Sequence, residues 1–297
     1  MDSDFNSKII DGKLISLQIK DEIKKETSHL NESSGITPGL AFILVGDNPA
    51  SQSYVRSKGK ACNELGFYSI TEELPENTSE DEVLSLIQRY NQDEKIHGIL
   101  VQLPLPPHIN EKNILESINY KKDVDGFHPQ NIGRLVSGIR CFIPCTPYGI
   151  VELLKRSNVI TSGKNLVVIG RSNIVGKPVA NLFINKELNC TVSVCHSATK
   201  DISFYTKNAD IIIAAMGKAK FLKSDMINEG VVLIDVGINR VPDSTKKTGY
   251  GLVGDIDYED CFSKASKITP VPGGVGPMTI AMLMKNTLES AKGYIYK

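Results

Sequence analysis

Along most of the chain, short unbroken apolar runs alternate with longer stretches whose apolar residues recur at helical spacing. Residues 40–45, 96–103, 165–169, 191–195, 211–215 and 231–236 read as strands. Residues 51–65, 79–90, 147–156 and 178–186 read as helices between them. This βαβα order predicts an α/β fold, with parallel sheets covered by helices on both faces.

A domain boundary falls near residues 140–146. Before it, "DGFHPQNIGRLVSG" is rich in turn residues and shows no clear period. After it, a helix is expected from Pro147, with Thr146 as its N-cap. Residues 1–145 then form an N-terminal α/β domain, where a catalytic site is sought, and 146–276 a doubly wound, Rossmann-type domain. A last helix, 277–294, follows the loop "PVPGGVGP" and is expected to return to the first domain. That domain is then discontinuous, completed by 277–297.

Composition changes this picture little. The 297 residues suffice for two cores, and 41% hydrophobic with 23% charged is ordinary for a globular protein. Lys+Arg and Asp+Glu both number 34, so no basic excess marks a nucleic-acid surface. Runs such as 211–216 are too short to span a bilayer. The polar start "MDSDFNSKII", with no arginine before Arg56, reads as neither a signal nor a transit peptide and points to the cytoplasm. Cys62, Cys141, Cys145, Cys190, Cys195 and Cys261 include no C-x-x-C pair. That spacing argues against zinc and for free thiols in a reducing compartment.

Candidate chemistry gathers at strand ends. "VVIGRSNIVGKP" carries a strand into a helix, but Ser172 stands where the dinucleotide fingerprint has its second glycine. Backbone N–H groups at that helix start would favour a phosphate, with Arg171 adding charge and Ser172 a hydroxyl. A tight turn without ligand fits the same letters. The next strand ends in "CHSATK", with no acid before Asp201. An acid there would hold a ribose 2′-hydroxyl and repel a 2′-phosphate, so its absence favours NADP over NAD. Gly217 and Gly237, after two later strands, allow close approach of a flat ring, or serve simply as turn glycines.

In the first domain, Tyr54 and Lys58 lie one helical turn apart. They suit either an aromatic face beside a proton-transfer group, or an ordinary half-exposed face with a snorkelling lysine. Gln102 ends the strand "GILVQLPLP", and Asp123 and Asp125 sit in "KKDVDGFHP". Gln102 also suits a strand-end cap, and Asp125 an Asx-turn before Gly126. "TPVPGGVGPMT" packs three prolines and three glycines into one rigid loop, which positions backbone against something.

Taken together, "ASQSYVRSKGKACNELG", "GILVQLPLP", "KDVDGFHPQNIGRL", "PCTPYGI", "VVIGRSNIVGKP", "DVGINR" and "TPVPGGVGPMT" closely resemble the bifunctional methylenetetrahydrofolate dehydrogenase/cyclohydrolase family, in family order over nearly the whole chain. The length looks like the form without a formate ligase domain. The resemblance implies a homodimer of two-domain α/β chains, with folate in the cleft between domains and NADP as cofactor. It implies oxidation of 5,10-methylenetetrahydrofolate to the 5,10-methenyl cation, then hydrolysis to 10-formyltetrahydrofolate. It implies that Tyr54 stacks on substrate, that Lys58 is the catalytic lysine with Gln102 beside it, and that Asp125 holds the pterin. Leu103, Pro272, Gly273 and Gly274 fall among the implied substrate contacts. Gly170, Arg171, Ser172, Ser197 and Ile238 fall among the cofactor contacts. Ala198 departs from the family, which often has lysine there. Three other readings stand beside this one: another NADP-linked dehydrogenase on the same fold, a binding module with a degenerate pocket, and a member with the dehydrogenase step alone. Retention of Lys58, Gln102 and Asp125 argues against the last.

Overall fold

The computed structural model describes residues 7–246 and 249–296. The chain divides into two compact units. One comprises Leu17–Cys145 and Ile280–Lys297, the other Met1–Ser16 and Thr146–Thr279.

The first unit takes most of α1 (Gly12–Ser34), then β1 (Gly39–Val45), α2 (Pro49–Leu65), β2 (Tyr68–Leu74), α3 (Glu80–Gln92), β3 (Gly98–Val101), α4 (Glu111–Ser117) and α5 (Pro129–Val136). Its three strands are parallel in the order β2-β1-β3. Every residue of the central strand β1 is buried. Ala41, Ile43 and Val45 pack with Val83, Ile87 and Tyr90 of α3 and with Ile99 and Val101 of β3. Such burial on both faces is why β1 reads as an unbroken apolar run.

The second unit holds α6 (Cys145–Arg156, all but its first residue), β4 (Asn165–Ile169), α7 (Gly176–Ile184), β5 (Thr191–Cys195), α8 (Ile202–Thr206), β6 (Ile211–Ala214), β7 (Val232–Asp235), the antiparallel pair β8 (Asn239–Pro242) and β9 (Tyr250–Val253), α9 (Tyr258–Cys261), and β10 (Lys267–Ile268). A last helix, α10 (Val275–Ala291), starts in this unit and ends in the other. The five-stranded sheet is parallel in the order β10-β7-β6-β4-β5. From β4 the chain steps outward to β5, then returns to β6 on the other side. That reversal makes the carboxyl ends of β4 and β6 a topological switch point, where such sheets bind ligands.

Several expectations need revision. The expected first domain begins at residue 1, yet the described residues up to Ser16 group with the second unit. There Ile9 bridges Ile268 in parallel, and the Ile10 N–H donates to the Ile268 carbonyl at 2.9 Å. Residues 96–103 are strand only from 98 to 101, because Gln102 leads into Pro104 and Pro106, which lack the N–H a ladder needs. Thr146 lies inside the first turn of α6 rather than capping it, and its hydroxyl pairs with that of Thr279 at 2.9 Å. The helix expected from Pro178 begins two residues earlier, at Gly176. The turn-rich stretch before the boundary contains α5, started by Pro129 in its first turn and by the His128 ring accepting the Gln130 N–H. All six cysteines are buried and unpaired. Among the described residues, no helix is long and apolar enough to cross a membrane.

Candidate functional site

Helix α2 begins where the Asn48 side chain accepts the N–H groups of Ala50 and Ser51, with Pro49 following. It ends at Gly66, whose φ of 75° is the left-handed conformation glycine adopts freely. Its buried stripe runs Val55, Lys58, Cys62, Leu65. Lys58 therefore occupies a core position of an amphipathic helix and is only 9% exposed. Tyr54, one turn earlier, keeps 49% of its surface exposed.

The Lys58 ammonium donates to Gln102 Oε1 at 3.1 Å, while Gln102 Nε2 donates to the Leu103 carbonyl at 2.7 Å. These two bonds fix which end of the amide faces the lysine. Gln102 is held in turn by its own N–H on the Ile43 carbonyl at 2.8 Å. Burial lowers the Lys58 pKa, opposed by the nearby charge of Asp125. Burial raises the Asp125 pKa, opposed by Lys58 and by a hydrogen bond from the Cys145 thiol. Low polarity thus draws amine and carboxyl together toward their neutral forms.

The turn role considered for Asp125 belongs instead to Asp123. Asp123 Oδ1 accepts the N–H groups of Gly126 at 3.2 Å and Phe127 at 3.3 Å. Its Oδ2 accepts those of His128 and of the Asn131 side chain, both at 2.8 Å. Burial, with the charge of Asp125 adding to it, pushes the Asp123 pKa up to about 7, yet the four groups that hydrogen-bond it are all donors, so the loop is built to hold the carboxylate. With Asp123 organising the loop, Asp125 is available to Lys58. Asn286 of α10 closes the back of this cluster, donating to the carbonyls of Val124 at 2.8 Å and Ile143 at 2.9 Å. Cys145 and Asn286 carry no sequence signal of their own. The core spacing of Lys58 on α2 is a readable one.

In the second unit, Gly170 has φ 127°, and a Cβ there would lie 2.2 Å from the Ala215 carbonyl oxygen. A Cβ on Gly176 would lie 2.3 Å from the Gly170 carbonyl oxygen. These contacts explain the unusual glycine spacing: one glycine lets β4 meet the loop after β6, the other lets α7 meet the turn. Ser172 does something the fingerprint does not foretell. Its Oγ accepts the N–H groups of Val175 at 3.1 Å and Gly176 at 3.3 Å, and its carbonyl accepts that of Lys177 at 3.0 Å. The helix start is therefore largely capped from within, and the Ser172 hydroxyl proton is what remains to offer an anion. Arg171, Ser172 and Ser197 are exposed. After β5, Thr199 Oγ1 accepts the His196 N–H and His196 Nδ1 accepts the Ala198 N–H, which shapes the loop without an acid. Asp201 is committed to capping α8 through the Phe204 N–H at 3.1 Å.

Ile238 is 51% exposed and lines a cavity of about 140 Å³ with Leu252, Pro272, Gly273 and Gly274. The loop is anchored by the Lys13 N–H on the Gly273 carbonyl at 2.9 Å, and a Cβ on Gly12 would lie 1.8 Å from the Gly274 oxygen. Gly237 is not kept bare for a ring: its missing Cβ would fall 2.2 Å from a carboxylate oxygen of Asp255. Gly217 has φ 68° and nothing within 4 Å of its Cβ position, so its surroundings stay open to a ligand.

A model of the tetrahydrofolate dehydrogenase/cyclohydrolase catalytic domain matches residues 10–125, and one of that family's NAD(P)-binding domain matches residues 144–295. The chain is 58% identical over 286 residues to a protein of Chlorobium phaeobacteroides named bifunctional protein FolD, covering 95% of this chain and 97% of that one. Among solved structures it resembles the bifunctional FolD dehydrogenase/cyclohydrolase of Campylobacter jejuni, at 53% identity and TM-score 0.91, over 96% of this chain and 98% of that one. It also resembles the Trypanosoma brucei FolD complexed with NADP cofactor and inhibitor, at 40% identity and TM-score 0.91, over 97% and 98%.

Proposed function

Because the chain belongs to the tetrahydrofolate dehydrogenase/cyclohydrolase family, we propose that it oxidises 5,10-methylenetetrahydrofolate with NADP and hydrolyses the 5,10-methenyl product to 10-formyltetrahydrofolate. The observation that carries this reading is Lys58, a buried amine hydrogen-bonded to an uncharged amide and influenced by one carboxyl.

The residues of the second unit fit a dinucleotide. Gly170 and Gly176 let the strand, turn and helix close tightly on one another, Ser172 retains a hydroxyl proton, and the end of β5 bears no acid to repel a 2′-phosphate. NADP supplies the hydride acceptor when bound. Gly170, Arg171, Ser172, Ser197 and Ile238 are the residues we assign to holding it.

Loss of hydride from the bridging carbon leaves a cation and requires no base. Hydrolysis does require one. A water oxygen bonds to the methenyl carbon while one of its protons passes to the Lys58 amine; the lysine then returns that proton to the ring nitrogen as its bond to the carbon breaks, and the remaining hydroxyl proton is released to solvent as the formyl carbonyl forms. Burial lowers the Lys58 pKa, and a cationic intermediate beside it acts in the same direction. Gln102 orients the amine without adding charge. Asp125 offers acceptor oxygens to pterin N–H groups, and the exposed Tyr54 ring offers a stacking face. Leu103, Pro272, Gly273 and Gly274 complete our assignment of substrate contacts. The family resemblance supports a homodimer, and the unpaired, buried cysteines support a reducing, cytoplasmic setting.

An assay of both steps with NADP and NAD side by side tests the reading. Wild type should form methenyltetrahydrofolate faster with NADP and hydrolyse it. Lys58→Met should still bind NADP but lose hydrolysis. Native-rate hydrolysis by that variant would remove Lys58 from its role.

A further inference from the structure

Asp255 is fully buried and follows the hairpin of β8 and β9. Its Oδ2 accepts the N–H groups of Met216 at 2.7 Å and Gly217 at 2.9 Å. Its Oδ1 accepts that of Lys218 and the Asn239 side-chain amide, both at 2.9 Å. A second buried carboxylate, Asp235, holds Asp255 in place by accepting its N–H at 2.9 Å, along with those of Gly237 at 2.9 Å and Ile256 at 2.8 Å. The missing side chain of Gly254 makes this possible, since a Cβ there would lie 1.8 Å from Asp235 Oδ2.

Two consequences follow for the loop after β6. The peptides of residues 215–218 are trans and therefore planar, so each carbonyl points opposite to the N–H of the next residue. With three successive N–H groups aimed at Asp255, the carbonyls of Ala215, Met216 and Gly217 point away from it. The Ala215 carbonyl does so against Gly170, at the switch point. With the Ala215 oxygen seated on Gly170, the carbonyl oxygens of Met216 and Gly217 are the ones turned away from the buried carboxylate with no such cover, beside the turn assigned to NADP. The buried negative charge also polarises each of those peptides, enriching the outward oxygens in electron density.

We propose that Asp255 is a positioning residue that makes this loop a carbonyl wall favouring the oxidised, cationic nicotinamide over the reduced, neutral one. The proposal rests on the reading that this unit binds NADP. A wall of acceptors attracts an electron-poor ring and its carboxamide N–H groups, and loses most of that attraction when the ring gains hydride. Asp255 does this without touching the cofactor.

The test is the affinity of the full chain for NADP+ and for NADPH, each titrated without folate, in wild type and Asp255→Asn. Asparagine removes the charge and turns a donor toward N–H groups. NADP+ binding should weaken about tenfold or more, the scale expected for losing a charged hydrogen bond, and NADPH binding should weaken clearly less. Hydrolysis of methenyltetrahydrofolate without nucleotide should stay within about twofold of wild type, which separates the effect from misfolding. Equal weakening for both nucleotides, or no weakening, would overturn the proposal. If Asp255→Asn fails to fold, Asn239→Ala decides: it removes one neutral donor and keeps the charge, so the preference for NADP+ should persist, and its loss would overturn the proposal. Because no folate enters these titrations, failure of the folate assignment leaves them readable. A wild type that binds neither nucleotide would sink both readings.

Discussion

A lysine placed on the apolar stripe of a helix loses hydration that its charged form needs and its neutral form scarcely misses. That is the position of Lys58, between Val55 and Cys62. Its neighbours then decide how far the neutral amine is favoured. Gln102 accepts its hydrogen bond without charge, whereas a carboxylate 3.1 Å away would stabilise the ammonium. The sign is definite: Gln102→Glu raises the Lys58 pKa, lowers the fraction of free base at a given pH, and moves the rising limb of the hydrolysis pH–rate profile to higher pH. An unshifted limb would count against Lys58 as base. The sequence shows this pair only as a Y-x-x-x-K and a strand-end amide. Their meeting, 44 positions apart, requires α2 and β3 to flank β1. The role of Asp123 leaves still less trace, because two aspartates in "DVDG" are equally good turn formers until the backbone N–H groups choose between them.

Strands buried on both faces were the elements most legible in the chain. β1, β4, β6 and β7 consist almost wholly of apolar residues, because nearly every position in them is buried whichever face it points to. β2 has no such signal because it is an edge strand, "YSITEEL", with polar residues on its exposed positions and too few apolar ones to stand out. The short pair of β8 and β9 is hidden for the same reason, with alternating exposure in β8. The β4–turn–α7 element was visible as a strand running into a helix, but its logic was not. Gly176 serves close packing on the Gly170 carbonyl rather than phosphate approach. Gly176→Ala should therefore push α7 off the turn, at about 1–3 kcal/mol in stability, and raise the NADP dissociation constant about tenfold or more. Hydrolysis of methenyltetrahydrofolate without nucleotide should survive, since Lys58 belongs to the other unit. Native affinity for NADP in this variant would refute the packing account.

At the scale of the molecule, the chain crosses between its two units inside α1 and α10, so neither unit is a single continuous segment. A boundary near 140–146 was readable from composition. The return of the N-terminal residues to β10 was not, because one bridging residue leaves no periodic trace. Ligand linkage should nevertheless separate the units. NADP at about a hundred times its dissociation constant adds about 2.7 kcal/mol to the state that binds it. Hydrogen exchange should then slow at residues 170–176, 215–218 and 235–239, with the β2-β1-β3 sheet little changed. Protection centred on α2 instead would contradict the assignment of nucleotide to the second unit. The cysteines decide how such binding can be followed. Burial pushes Cys62 and Cys261 to about 12, and Cys141 and Cys190 to about 11, while Cys145 and Cys195 also lie above the ordinary thiol. At neutral pH almost none is thiolate, the form that alkylating dyes attack. The native chain is in effect a cysteine-silent background, and a single thiol introduced at exposed Ser197 would carry a fluorophore to the end of β5 without first stripping the protein of its own.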